Sequence, residues 1–214
     1  MSHLISRRNV SGGILAAVIA ASAGFAAPPA VAAVDPALVA EAAAYLQSQG
    51  VVHGRFVQTD ASGHALAGSF WIQRPGRARF DYDPPSGLSL AADGVGVSIV
   101  DRRLKTQRRV PLAATPLSLL LARNIRLDRS VRAAATGQDA GGFFVTLQSS
   151  NAKEPGEISL RFARNPTRLT GWTLVDARGL KVSVRLLGMA RGAPRPISFF
   201  ELATPGSTEP RPAG

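Results

Sequence analysis

Gly68-Ser69-Phe70-Trp71-Ile72-Gln73-Arg74-Pro75-Gly76-Arg77-Ala78-Arg79-Phe80-Asp81-Tyr82 reads as two successive strands. Phe70, Ile72 and Arg74 share one face of the first run, and Ser69, Trp71 and Gln73 share the other. In the second run Ala78, Phe80 and Tyr82 alternate with Arg77, Arg79 and Asp81. A period of two with apolar residues on one side marks a half-buried strand.

The alternation begins at Val51 and runs outward from this pair. It returns in Val95, Val97 and Ile99, in Ile158, Leu160 and Phe162, and in Leu180, Val182, Val184 and Leu186. Turn residues punctuate the runs at Ser62-Gly63, Pro84-Pro85-Ser86-Gly87, Asp93-Gly94, Gly141-Gly142, Pro155-Gly156, Asn165-Pro166 and Arg178-Gly179. The pattern predicts a mainly β (α+β) chain, an antiparallel sheet of about ten strands with one dry face. Arginines alternate with the apolar residues along these strands, which assigns most of them to a solvated outer face.

Two helices are expected. Asp35-Pro36 opens the first, since Asp caps amides and Pro suits a first turn. Leu38, Ala42, Tyr45, Leu46 and Gln49 follow at helical spacing, and Gly50 stops it. The second runs from Thr115-Pro116 through Leu117, Leu119, Leu120 and Leu121 to Asn124, with Thr115 as its cap. It holds too many leucines for one narrow stripe, so it must be covered on most sides. Either it plugs the end of a barrel or it is a lid over an apolar cavity.

Composition narrows the function classes. A chain of 214 residues, 45% hydrophobic, suits one domain with a real core. Cysteine is absent, which excludes disulfide scaffolds, thiolate metal sites and cysteine nucleophiles. The three histidines (His3, His53, His64) offer little for metal or acid-base chemistry. The net charge of +11 comes from arginine, which outnumbers lysine 22 to 3. Such a balance fits nucleic acid, an anionic membrane surface or an acidic partner.

The N-terminus decides among these. Arg7 and Arg8 form a positive n-region, Gly12 to Ala27 an apolar stretch, and Ala30-Val31-Ala32 an A-x-A cleavage site. The apolar run falls short of the roughly 20 residues a membrane span needs. Residues 1–32 are therefore a cleaved export signal, 33–206 the folded domain and 207–214 a disordered tail. Ser6-Arg7-Arg8-Asn9-Val10 also resembles a twin-arginine signal, so the general and the twin-arginine routes both stay open. Cleavage takes two arginines and no acids from the +11, leaving +9. Export predicts a bacterial periplasmic protein and argues against a nucleic-acid partner.

Several segments carry a resemblance: Phe56-Val57-Gln58, Gly68 to Pro75, and Arg79-Phe80-Asp81-Tyr82. They are followed by Asp93-Gly94 with Val95 to Val100, Thr115-Pro116 with its leucines, and the strands around Trp172 to Leu186. In order and spacing, from about residue 36 to 206, they resemble the bacterial outer-membrane lipoprotein carrier proteins of the LolA type. The resemblance implies a half-open β-barrel, an incomplete antiparallel sheet curled around a hydrophobic cavity with helices as a lid. It also implies a carrier without catalysis or cofactor. Such a carrier takes acylated lipoproteins from an inner-membrane ABC transporter and hands them to an outer-membrane acceptor. Physical chemistry gives a reason for the device. At roughly 0.8 kcal/mol per methylene, a chain of about fifteen holds its lipoprotein to a membrane by about 12 kcal/mol. Crossing water then requires comparable apolar surface that can later let go.

Arg74 stands out within this frame. Strand parity sets it on the apolar face with Phe70 and Ile72, a costly site for an unpaired charge. In one reading, carbonyls at the end of a lid helix hold its guanidinium, aided by the helix dipole. The resemblance implies that an arginine here closes the lid and releases it on cargo binding. In the other reading Arg74 lies past the strand end and reaches solvent before Pro75. The cavity lining expected from the dry face is Phe56, Phe70, Ile72, Phe80, Tyr82, Leu90, Val97 and Ile99, with Leu119 and Leu120 from the helix. Ala78 departs from the bulkier residue common in the family. Whether Ile197 to Leu202 adds a strand stays open.

Three rival classes are weaker. For an enzyme, His53 and His64 are expected at the surface, and Asp81 and Asp83 are flanked by arginines that suit salt bridges better than a carboxylate pair. A carrier or sensor of another lipid or glycolipid fits the same fold. An integral outer-membrane barrel needs an apolar outside with aromatic girdles. Here aromatics are 6% and arginines lie opposite the apolar face. A monomer is expected, because a shuttle between donor and acceptor gains nothing from a fixed partner.

Overall fold

The computed structural model describes residues 34–123, 131–149, 156–176 and 178–203. The expected leader, the tail 207–214 and Asn124 lie outside the described residues. Helix α1 (Pro36–Ser48) opens as expected: the Asp35 carboxylate accepts the Ala37 amide at 2.8 Å. It buries Leu38, Val39, Ala42 and Leu46. Its stop is the extended backbone of Gln49 (φ −92°, ψ 98°), not a left-handed turn at Gly50.

Six strands follow: β1 (Val51–Thr59), β2 (Ala65–Gln73), β3 (Arg77–Tyr82), β4 (Leu88–Asp93), β5 (Gly96–Asp101) and β6 (Thr106–Pro111). Five more come after the second helix: β7 (Val131–Asp139), β8 (Gly142–Ser149), β9 (Glu157–Ala163), β10 (Arg168–Val175) and β11 (Lys181–Arg191). All pair antiparallel in one sheet, ordered β6-β5-β4-β3-β2-β1-β11-β10-β9-β8-β7. Two meanders are thus joined where the first strand meets the last. The edges β6 and β7 do not pair, so the sheet stays open. Exposed Arg108 and Arg109 on β6 blunt that edge against further strand pairing.

Register assigns the two faces. Phe70 faces Phe80 across β2 and β3, and Phe80 faces Leu90 across β3 and β4. Phe56 stands opposite Gly68, and Phe70 opposite Gly54, so each ring lies over a strand without a side chain. A Cβ on Gly68 would come within 2.8 Å of the Phe56 ring. Phe80 then meets Trp172 of β10 edge-on at 6.1 Å, tying the two meanders through one apolar interior. Full burial of such side chains contributes roughly 1.5–3 kcal/mol each.

Three local expectations need correction. Val95 is 79% exposed and precedes β5, because the Asp93 carboxylate accepts both the Val95 and Gly96 amides and extends the turn by one residue. Leu180 likewise sits in the hairpin ahead of β11 and is exposed. The outer face is not wholly solvated: Ile197–Phe200 forms a 3-10 turn rather than a strand, and it covers part of that face. Phe200 is buried against β3 and β4, with Ser89, Ala91 and Val100 also buried there. The Arg195 amide donates to the Gln73 side chain at 2.7 Å, and Arg79 donates to the Phe199 carbonyl at 2.9 Å.

Candidate functional site

The inner face gathers every residue expected to line the cavity. Phe56, Phe70, Ile72, Phe80, Val97, Leu119 and Leu120 belong to one buried cluster, with Tyr82, Leu90 and Ile99 half-buried against it. The second meander contributes an equal share that the sequence reading left out, including Phe143, Leu160, Phe162, Leu169 and Trp172. Their signal was the same period of two. At Leu169 and Trp172 it is broken by a bulge before Gly171, which turns both side chains inward.

Helix α2 (Leu117–Leu121) closes this interior with four buried leucines. It is shorter than expected, and Thr115 does not cap it. The Thr115 hydroxyl instead donates backward to the Leu112 carbonyl at 2.8 Å, closing a 3-10 turn at Leu112–Ala114. Helix α1 covers the other side of the opening. Tyr45 meets Phe162 edge-on at 5.7 Å, and Glu41 accepts from Thr167 at 2.7 Å. Burial raises the Tyr45 hydroxyl above the usual tyrosine range. At the other end, Tyr82 donates to Gln58 at 2.6 Å, and burial pushes its ionisation up to about 12.

Arg74 connects the pieces. It follows β2, whose register carries its side chain inward, and its amide donates to the Gly50 carbonyl at 3.0 Å. Its guanidinium donates to two backbone carbonyls, Leu46 in the last turn of α1 and Ala122 at the end of α2. Both acceptors lie at helix C-termini, where the peptide dipoles favour a cation. Beside it the Gly76 amide donates to the Leu121 carbonyl at 2.9 Å. The turn after β2 therefore grips both helices. The grip is incomplete, since the Arg74 Nε is buried without a partner. Burial lowers the Arg74 pKa from the ordinary arginine value.

The groups singled out for catalysis are dispersed. His53 stacks on Trp71 at 4.6 Å between ring centres, more sheltered than expected, and His64 is exposed in the turn before β2. Asp81 pairs with Arg79 at 2.7 Å and Asp83 with Arg55, so the two carboxylates serve separate arginines. No helix among the described residues is long and apolar enough to cross a membrane.

The chain is similar in sequence to two outer-membrane lipoprotein carrier proteins. The outer-membrane lipoprotein carrier protein of Leptothrix cholodnii is 30% identical over 146 residues, covering 66% of this chain and 68% of its own. That of Methylococcus capsulatus is 25% identical over 174 residues, covering 77% and 83%. Among solved structures, a LolA superfamily protein from Nitrosomonas europaea is 11% identical with a TM-score of 0.46, covering 80% of this chain and 99% of its own. Lipoprotein LppX from Mycobacterium tuberculosis is 12% identical with a TM-score of 0.35, covering 76% and 99%. The family model of the outer membrane lipoprotein carrier protein LolA matches residues 47–203, from the end of α1 through the 3-10 turn on the outer face, and the chain belongs to the LolA family.

Proposed function

We propose that this protein is a periplasmic carrier for the acyl chains of lipoproteins, taking them from an inner-membrane ABC transporter and delivering them to an outer-membrane acceptor. The observation that carries the reading is the Arg74 node, which ties the ends of both helices across a largely apolar interior. In the closed state described here, the leucines of α2 fill the space that an acyl chain would take. Entry of cargo displaces them, exchanging side-chain contacts for acyl contacts of the same kind, and breaks the node. The orphaned Arg74 Nε makes that break less costly, because opening returns it to water. No step requires a bond to form or break, so the protein acts by binding alone, as a monomer. The A-x-A leader and the names of the two relatives support the periplasm as its place of work.

A lipoprotein bearing a photoreactive acyl chain tests the site. After irradiation of the complex, adducts are expected on inward residues such as Phe80, Trp172 and Leu120. Adducts confined to outer-face residues such as Phe144 or Trp71 would refute this site.

A further inference from the structure

The face of the sheet opposite the apolar interior carries a groove of about 540 Å³ running across β1, β11, β10, β9 and β8. Its floor follows from register. Thr59 pairs with Ser183, Ser183 with Thr173, Thr173 with Ser159, and Ser159 with Thr146. The row crosses five strands; Thr59, Ser183, Thr173 and Ser159 line the groove, and Thr146 is buried beside it. Two of these pairs are hydrogen-bonded, Thr146 to Ser159 at 3.0 Å and Thr173 to Ser183 at 3.2 Å.

The next row is Arg185, Gly171 and Arg161, in register on β11, β10 and β9. Gly171 leaves a gap between the two arginines, whose backbones stand two strand spacings apart, about 10 Å. A side chain cannot close the gap, because a Cβ there would lie 2.2 Å from the Val184 carbonyl oxygen. Arg161 is oriented by Asp139 at the end of β7. Arg185 is exposed and has no acidic partner among the described residues. One row beyond the hydroxyls, Lys181 and Glu157 carry opposite charges.

We infer that this groove binds a phosphate ester of a polyol, with Arg185 and Arg161 holding the phosphate across the Gly171 gap and the hydroxyl row holding the polyol. A guanidinium offers paired donors that match phosphate oxygens, and hydroxyls both donate to and accept from a polyol. The groove volume falls in the range of small-molecule sites. Val57 and Phe144 flank the polar rows with apolar surface, and the groove lies on the far side of the sheet from the interior. The inference therefore does not rest on the carrier reading. The same chemistry occurs in a soluble glycerol phosphate and in the headgroup of an anionic phospholipid.

The full chain, expressed with its leader and purified from the exported fraction, is titrated calorimetrically with glycerol 3-phosphate. In parallel it is co-sedimented with phosphatidylglycerol vesicles and with phosphatidylcholine vesicles. Arg185→Gln is compared with Arg108→Gln, which removes the same charge from the β6 edge. The inference expects saturable binding in at least one arm, weakened about tenfold by Arg185→Gln and unchanged by Arg108→Gln. Dependence on Arg185 in the titration alone identifies a soluble ester. The same dependence on phosphatidylglycerol vesicles identifies a lipid headgroup. No saturable binding in either arm overturns the inference, as does equal weakening by both variants, which reduces the effect to net charge. Acyl cargo uptake by Arg185→Gln is expected to match the unmodified protein, which separates this test from the carrier reading.

Discussion

Replacing Arg74 by leucine should loosen the lid without unfolding the sheet. Leucine suits the apolar face and removes both donations, to Leu46 and to Ala122. Hydrogen bonds from a charged group are worth about 1.5–3 kcal/mol each. The orphaned Nε, which costs about 1–3 kcal/mol in the closed state, disappears with the guanidinium. The net loss of closure is therefore about 2–3 kcal/mol, raising the open population about 30- to 150-fold. The Gly76 amide reads this directly, because its acceptor is the Leu121 carbonyl at the end of α2. Native-state hydrogen exchange should show Gly76 accelerated by that factor, with the amides of β1 and β2 at the sheet centre changed far less. Unchanged exchange at Gly76 would refute the idea that Arg74 holds α2. Equal acceleration throughout the sheet would make Arg74 an ordinary stabilising residue rather than a latch.

Two further outcomes follow from the inner face. Gly68→Ala sets a methyl 2.4 Å from the Asp81 carbonyl oxygen and against the Phe56 ring, and should cost about 2–3 kcal/mol in urea unfolding. Gly63→Ala, at φ +86° with open space around it, should cost only about 1 kcal/mol; equal losses would contradict the ring-over-glycine packing. Tyr82 ionises at about 12 when folded but near pH 10 when unfolded, so the unfolded chain binds fewer protons between those values. Stability should fall as pH rises through that window, and Tyr82→Phe should make the fall shallower; parallel curves would show that Tyr82 is not buried.

The fold was legible where apolar and polar residues alternate without interruption. Phe70 and Ile72 against Phe80 and Tyr82 set the inner face, and Asp35-Pro36 marked α1. What escaped was what alternation cannot encode. The bulge before Gly171 turns both Leu169 and Trp172 inward, so counting by twos loses the face there. Val95 was drawn into a strand because its turn takes one more residue than Asp93-Gly94 suggests. Gln73 looks like a solvent residue, yet it is buried by Arg195, 122 positions later in the chain. No local pattern could reveal that contact. Arg74 was legible because a charge on an apolar face has to find a partner, although the sequence did not specify that two helices would share it.

The central claim is that the apolar interior receives acyl chains. The purified protein, added to spheroplasts whose lipoproteins carry labelled acyl chains, tests this most directly. The account predicts label in the soluble fraction as a one-to-one complex of protein and lipoprotein, with release or onward delivery altered by Arg74→Leu. No labelled lipoprotein in solution, with a free lipid or glycolipid bound to the purified protein instead, would contradict it.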